Sequence, residues 1–321
     1  MVTLDEMIRI GTSGWSYPSG KGTWNGVFYP KPRPRGFDEL AYYAEHFDTV
    51  EVNSTFYRVP EAPQVAKWVE RTPADFLFAV KLYQKFTHPD MYLKKAGGTD
   101  WSPSLVDIDL FRAGIEPLAA AGRLGALLLQ FPPSLHAEPA SRDYLSWLLD
   151  QLRDYPCVVE VRHASWFEAG GELAARLEPT GAGLVVADDP ETTKMTSGVF
   201  FEDGAAKKTP DVISAPLYLR LHGRNAAAWW HHDAAEDRYN YLYSPAELRP
   251  FADRATDAAA AGRRVMAFMN NHYSAKAVAN AAVLKSQVGQ DIPGEYEPEM
   301  VERYSDLRGL VSVRPAPGRL I

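Results

Sequence analysis

Eight short runs rich in β-branched and aliphatic residues recur along the chain, at 7–11, 49–53, 77–81, 125–130, 158–162, 183–188, 217–222 and 265–270. Segments with helical spacing of apolar residues lie between most of them, at 37–46, 62–71, 104–121, 140–152, 168–177, 245–261 and 274–288. Only the stretch 190–215, after the sixth run, lacks a convincing helix. Strand and helix alternating through eight units specify parallel strands joined by helical crossovers, and eight such units close into an α/β barrel, the (β/α)8 or TIM barrel. An open doubly wound sheet is the competitor. It calls for a glycine-rich phosphate loop after the first strand, but the segment 14–22 has five residues between its first two glycines and no Ser or Thr after Lys21. At 321 residues the length alone suggests two domains, yet barrels of about this size fold as one. The reading is therefore one barrel domain over 1–290, with 291–321 an extension packed on the barrel or partly disordered.

Loop lengths show where a site would lie. Helix-to-strand connections are mostly short, whereas those after strands one (12–36), three (82–103) and seven (223–244) are long. In a barrel all strand-to-helix loops gather at one end, where barrel enzymes place their chemistry. Other features exclude classes. The longest apolar run, 124–129, is far too short for the roughly 20 residues of a membrane helix. Cys157 is the only cysteine, which excludes an internal disulfide and a cysteine-rich metal site. With an acidic start and no signal-peptide pattern, the expected location is the cytoplasm. A net charge of −7 argues against non-specific polyanion binding, although Lys21, Lys31, Arg33 and Arg35 make the first loop locally basic.

Strand periodicity then sorts side chains. Residues i and i+2 share a face, and the outward face of a barrel strand is apolar because helices cover it. Val50 and Val52 outward turn Glu51 and Asn53 inward; Val159 and Val161 do the same for Glu160 and Arg162. Leu217, Leu219 and Leu221 outward leave Tyr218, Arg220 and His222 inside, and the same logic turns Lys81, Gln130 and Asp188 inward. Three acids thus face three cations, with His222 as a titratable extra. Charges this deep persist only if paired or bound to ligand, so the mouth is either a sealed ion-pair network or a polar pocket. The long loops also carry many aromatics, among them Trp15, Tyr17, Trp24, Tyr57, Trp166, Trp229 and Tyr239. These are either stacking platforms for sugar rings and nucleobases or the loops' own small cores.

Several ordered segments then carry a resemblance: GTSGWSY at 11–17, VEVNSTFYR at 50–58, FAVK at 78–81 with THP at 87–89, and LLLQFPP at 127–133. They continue with EVRHASW at 160–166, YLRLHG at 218–223 and MNNH at 269–272. Together they resemble the YecE-like proteins, domain-of-unknown-function family 72, from about residue 8 to about residue 288. The resemblance implies a TIM barrel, supplies no catalytic residues to carry over, and likens the barrel to the endonuclease-IV and xylose-isomerase group.

The leading expectation is an enzyme acting at this mouth on a small polar substrate: a sugar, sugar phosphate or nucleotide-like compound. Glu51 and Glu160 would do acid/base work and His222 would move protons, with Asn53, Lys81, Arg162, Arg220, Trp15, Tyr57, Trp166 and Asn271 holding the substrate. No cofactor is expected. A divalent metal on Glu51, Glu160, Asp188 and His222, with His163, Asp189 and His272 nearby, is the less favoured arrangement, because three cations stand among those ligands. His231 and His232 read as a surface pair, and neither Ser13 nor Ser54 sits in a nucleophile elbow. The expected partner is a small molecule, phosphorylated or not, with no membrane. The alternatives are nucleic-acid binding or endonuclease-IV-like phosphodiester cleavage, and a non-catalytic metabolite-binding protein.

Overall fold

The computed structural model describes residues 4–97, 99, 101–168, 172–190, 201–202, 205–206, 215–230 and 234–315. Its barrel strands are β1 (Ile8–Ser13), β2 (Thr49–Val52), β3 (Leu77–Lys81), β4 (Leu124–Gln130), β5 (Cys157–Glu160), β6 (Gly183–Asp188), β7 (Leu217–Leu221) and β8 (Val265–Met269). Each pairs in parallel with its sequence neighbours, and β1 pairs with both β2 and β8, which closes the sheet into a (β/α)8 barrel. β1 runs past its expected end because Thr12 and Ser13 pair with Val50 and Glu51. That closure depends on Gly11, where a Cβ would lie 2.2 Å from the Thr49 carbonyl oxygen.

The outer helices are α1 (Glu39–Ala44), α2 (Ala62–Glu70), α3 (Leu105–Ala120), α4 (Pro139–Gln151), α5 (Glu172–Leu177), α6 (Pro245–Ala260) and α7 (Lys276–Gln287). Local chemistry sets their starts. Asp38 accepts from the Leu40 and Ala41 amides, which places the α1 cap one residue inside the expected 37–46. Ser104 with Asp107, and Ser244 with Glu247, form reciprocal capping boxes at α3 and α6. Of the stretch 190–215, the described part includes a small antiparallel pair, Phe201–Glu202 with Ala205–Ala206.

Two apolar layers result. Outward residues such as Val50, Val159, Leu219 and Ala267 pack under the helices. Inside, Ala79, Ala126, Leu128, Val158, Val185, Tyr218, Met266 and Phe268 fill the barrel and form the floor of the mouth. The extension packs on the barrel as far as it is described: Tyr296 is fully buried with its ring edge-on to His46, and Tyr42 Oη donates to the Glu295 carbonyl. No described helix is long and apolar enough to cross a membrane.

Candidate functional site at the carboxyl ends of the strands

Directly above the apolar floor lies a charged layer organised by Arg220. Its guanidinium grips Glu51 with both prongs, Nε to Oε2 at 2.9 Å and Nη2 to Oε1 at 2.8 Å. Its third nitrogen, Nη1, donates to Glu160 Oε2 at 2.5 Å and Gln130 Oε1 at 3.1 Å. Glu51 also accepts from Ser13 Oγ and Tyr218 Oη, each at 2.8 Å, so each of its oxygens takes two hydrogen bonds. Glu160 accepts a further bond from Arg162 Nε at 2.8 Å. Five strands therefore meet in one network, as the alternation of Glu51, Gln130, Glu160, Arg220 and their outward neighbours predicts. Such forked arginine–carboxylate pairs hold geometry as well as charge.

The electrostatics follow. Burial alone would raise the Glu51 carboxyl; the Arg220 guanidinium overrides it and holds the group below the usual carboxylate range. Glu160 is held far below that range, because Arg220 and Arg162 together override the opposing effect of its burial. Lys81, the last residue of β3, behaves oppositely. Burial, reinforced by the positive charge of Arg220, pushes its amine down to about 7. Among the described residues its Nζ has no hydrogen-bond or carboxylate partner and sits 4.3 Å from the centroid of the Phe56 ring. His222 is fully buried, and burial with the two arginines drives its pKa well below the usual imidazole value. Its Nδ1 meets the Asn270 amide at 2.8 Å, and its Nε2 has no partner among the described residues.

Asp188 does not face the mouth. The inner side of β6 is Val185, and Leu184 and Val186 lie in the outer core, so Asp188 points outward and Asp189 takes the inward position. Asp188 pairs with Arg224 Nε at 2.8 Å and accepts from Tyr243 Oη at 2.6 Å, while Asp189 lies 3.7 Å from Arg162 Nη2. The same parity places Asn270, not Asn271, beside His222. The Asn271 amide nitrogen instead donates to the Tyr241 carbonyl and Asn280, tying the seventh loop to α7. Asn53 opens the short helix Ser54–Tyr57 without a side-chain cap bond.

The aromatics divide. Trp166 is buried and donates to the Leu135 carbonyl at 2.8 Å, and Trp24 is buried against Phe28 and Tyr29; both are loop core rather than platforms. Trp15 is half-buried edge-on to Trp68. Tyr57 stays 58% exposed at the rim. Two of the loop aromatics join His272 in a wall that runs from Tyr17, stacked on His272 at 4.3 Å, to Tyr239, 4.7 Å from His272 and 6.5 Å from His222. His88, which strand alternation does not single out, also stands beside this layer. It lies edge-on to Phe56 with Nδ1 2.8 Å from Thr87 Oγ1, and burial lowers it to about 3. Its position just past β3, in the long third loop, was the available signal. In the first loop Arg33 folds back on Glu39 rather than presenting its charge outward. His231 and His232 lie outside the described residues.

The metal arrangement weighed from the sequence does not fit these geometries. Glu51 and Glu160 are engaged by arginines, Asp188 faces away, and His163 stacks on His136 at 3.7 Å with Nδ1 on Ser165. Among the described residues no three His, Cys, Asp or Glu side chains converge as a metal site.

A closed eight-stranded parallel barrel whose mouth carries an arginine-centred charge network defines the class: a TIM-barrel protein with a polar carboxyl-end face. Within that class, the chain belongs to the family described as protein of unknown function DUF72, whose model matches residues 9–302. It is 27% identical over 280 residues to the UPF0759 protein YunF of Bacillus subtilis, covering 85% of this chain and 92% of that one. It is 32% identical over 186 residues to the UPF0759 protein YecE of Escherichia coli K12, spanning 57% of this chain and 59% of YecE. The crystal structure of a DUF72 family protein from Thermotoga maritima matches with a TM-score of 0.67 at 30% identity, covering 88% of this chain and 100% of that one. One from Enterococcus faecalis gives 0.68 at 24% identity, covering 88% and 95%.

Proposed function

We propose that the barrel mouth is the active site of an enzyme acting on a small anionic or polyhydroxylated molecule of the sugar, sugar-phosphate or nucleotide-like class. One observation carries the reading. Both mouth glutamates have their oxygens taken up by arginines and hydroxyls, while two groups in the same layer, Lys81 Nζ and His222 Nε2, lack polar partners among the described residues. Buried polar atoms in folded proteins are normally satisfied, so His222 Nε2, which is not, beside the half-buried amine of Lys81, marks a place for a ligand. Glu51 and Glu160 then have a part other than direct proton transfer: they remain ionised and fix Arg220 and Arg162. Proton exchange falls to the amine of Lys81, poised near neutrality, and to neutral His222. Tyr57 and half-buried Tyr239 supply rim surface for a ring.

The test is a thermal-shift screen of sugar phosphates and nucleotides, followed by product analysis with any ligand that saturates. Lys81→Met and His222→Gln should keep the fold and lose turnover. A saturating ligand whose binding and conversion ignore both variants would place its site elsewhere.

A further inference from the structure

Of the three cations in the mouth, Lys81 alone has no ion pair among the described residues, and the chain holds it there. Thr55 Oγ1 donates to the Lys81 carbonyl at 2.6 Å, and Lys81 pairs across the sheet with Leu128, so the stem rises from a fixed strand end. Phe56, from the helix that follows β2, lies against the amine, and His88 packs edge-on to the same ring at 4.8 Å. Around it stand Glu51 from β2, Glu160 from β5 with Arg162 just past it, and Arg220 from β7 with His222 just past it. The glutamates that could neutralise an ammonium are committed to guanidinium groups, which themselves repel a third positive charge. An amine in such a place spends much of its time unprotonated at neutral pH and therefore nucleophilic.

We propose that Lys81 is a covalent nucleophile that forms an imine with a small carbonyl compound bearing an anionic group, either a 2-oxo acid or a phosphorylated aldehyde or ketone. This rests on the mouth being the active site and names its substrate class. The Nζ lone pair attacks the carbonyl carbon, and one N–H proton passes to the carbonyl oxygen to give a carbinolamine. A second proton, from solvent, turns the hydroxyl into departing water as the carbon–nitrogen double bond forms. The product is an iminium whose positive charge stands where the protonated lysine would, facing Glu160 and Glu51. No oxidant or reductant is consumed, and water reverses the step. Arg162, whose side chain is 11% exposed against 1% for Arg220, is the arginine nearer solvent and draws in the anionic group.

Glyoxylate with cyanoborohydride tests this on the whole protein, since hydride converts any iminium irreversibly to N-carboxymethyl-lysine. Peptide mass spectrometry then reads every lysine. At pH 7 an amine with a pKa of about 7 is about half neutral, against about one part in a few thousand for an ordinary lysine. Lys81 should therefore label at least about tenfold faster than exposed Lys21, Lys67 and Lys94. Its rate should level off just above neutrality, and glycolaldehyde, which lacks the charge, should label it more slowly. Formaldehyde, the smallest carbonyl, checks access, and Lys81→Arg, which keeps the charge, should abolish the fast adduct. Equal or slower labelling of Lys81 with both glyoxylate and formaldehyde overturns the proposal. If a ligand is still turned over in a Lys81-dependent way without any trapped adduct, the imine is wrong and the active-site reading stands. If neither ligand nor adduct is found, both fall.

Discussion

Replacing Arg220 with methionine removes the one cation that touches both mouth glutamates, and its cost can be worked from the contacts. Three side chains with 1% exposure or less share the pairing: Glu51, Glu160 and Arg220. Taking one partner from a buried ion pair costs about 3–5 kcal/mol, because the remaining charge keeps its desolvation without its compensation. Here two carboxylates are stranded. Glu160 retains Arg162 and Glu51 retains only the Ser13 and Tyr218 hydroxyls, so the upper half of that range is expected, carried mainly by Glu51. For a chain of this size that corresponds to a fall in Tm of about 5–10 °C.

The pH dependence separates this from simple loss of packing. In the unaltered protein both carboxyls lie below their unfolded value of about 4.3, so their stabilisation is in place above that pH and fades as pH falls through the folded values. Without Arg220, burial dominates at Glu51 and raises it above the unfolded value. The folded variant then takes up a proton that the unfolded chain does not, and gains stability as pH falls from 7 toward 4. Urea titrations at several pH values should therefore show the variant's deficit narrowing on acidification. Adding Glu51→Gln and Glu160→Gln to Arg220→Met should recover part of the loss at pH 7. A deficit under about 1 kcal/mol, or one independent of pH, would refute the account of Arg220 as the keystone of the layer.

Three further outcomes are expected. Lys81→Met should be more stable than the parent at pH 7 by about 1 kcal/mol or more, and the difference should shrink toward pH 10; the folded amine near 7 releases its proton before the unfolded one, so the parent gains stability across that window. A difference that does not move between pH 7 and 10 in paired denaturation curves contradicts the lowered pKa. Tyr243→Phe removes a 2.6 Å bond to buried Asp188 and should cost about 1.5–3 kcal/mol by urea denaturation, with Arg224 still holding the carboxylate. Gly11→Ala drives a methyl to 2.2 Å from the Thr49 carbonyl oxygen at the barrel seam and should yield little soluble folded protein; near-normal yield and Tm would show that β1 and β2 can part there at small cost.

How much of the site could be read in advance depends on how unevenly each strand divides its residues. In β2, β5 and β7 valines or leucines alternate with charged groups, so period two alone assigns the faces of Glu51, Glu160 and Arg220. β6 and β8 are apolar on both faces, and alternation carries no signal there. Neighbouring acids Asp188 and Asp189, or Asn270 and Asn271, are then interchangeable to the eye, and only the pairing of Val185 with Tyr218 and of Met269 with Leu221 decides between them. Loop aromatics fail for a different reason. Trp24 and Trp166 became core while Tyr57 stayed at the rim, a choice made by contacts between segments far apart in sequence, such as Trp24 Nε1 with the His272 carbonyl. The partnerless state of Lys81 belongs to this second kind. Three acids and three cations in a list balance, and nothing in the list says that Arg220, reaching across the barrel, would engage two glutamates at once. That unequal division leaves one amine without an ion pair among the described residues, a consequence of how the charges are shared rather than of the residue types that made them visible.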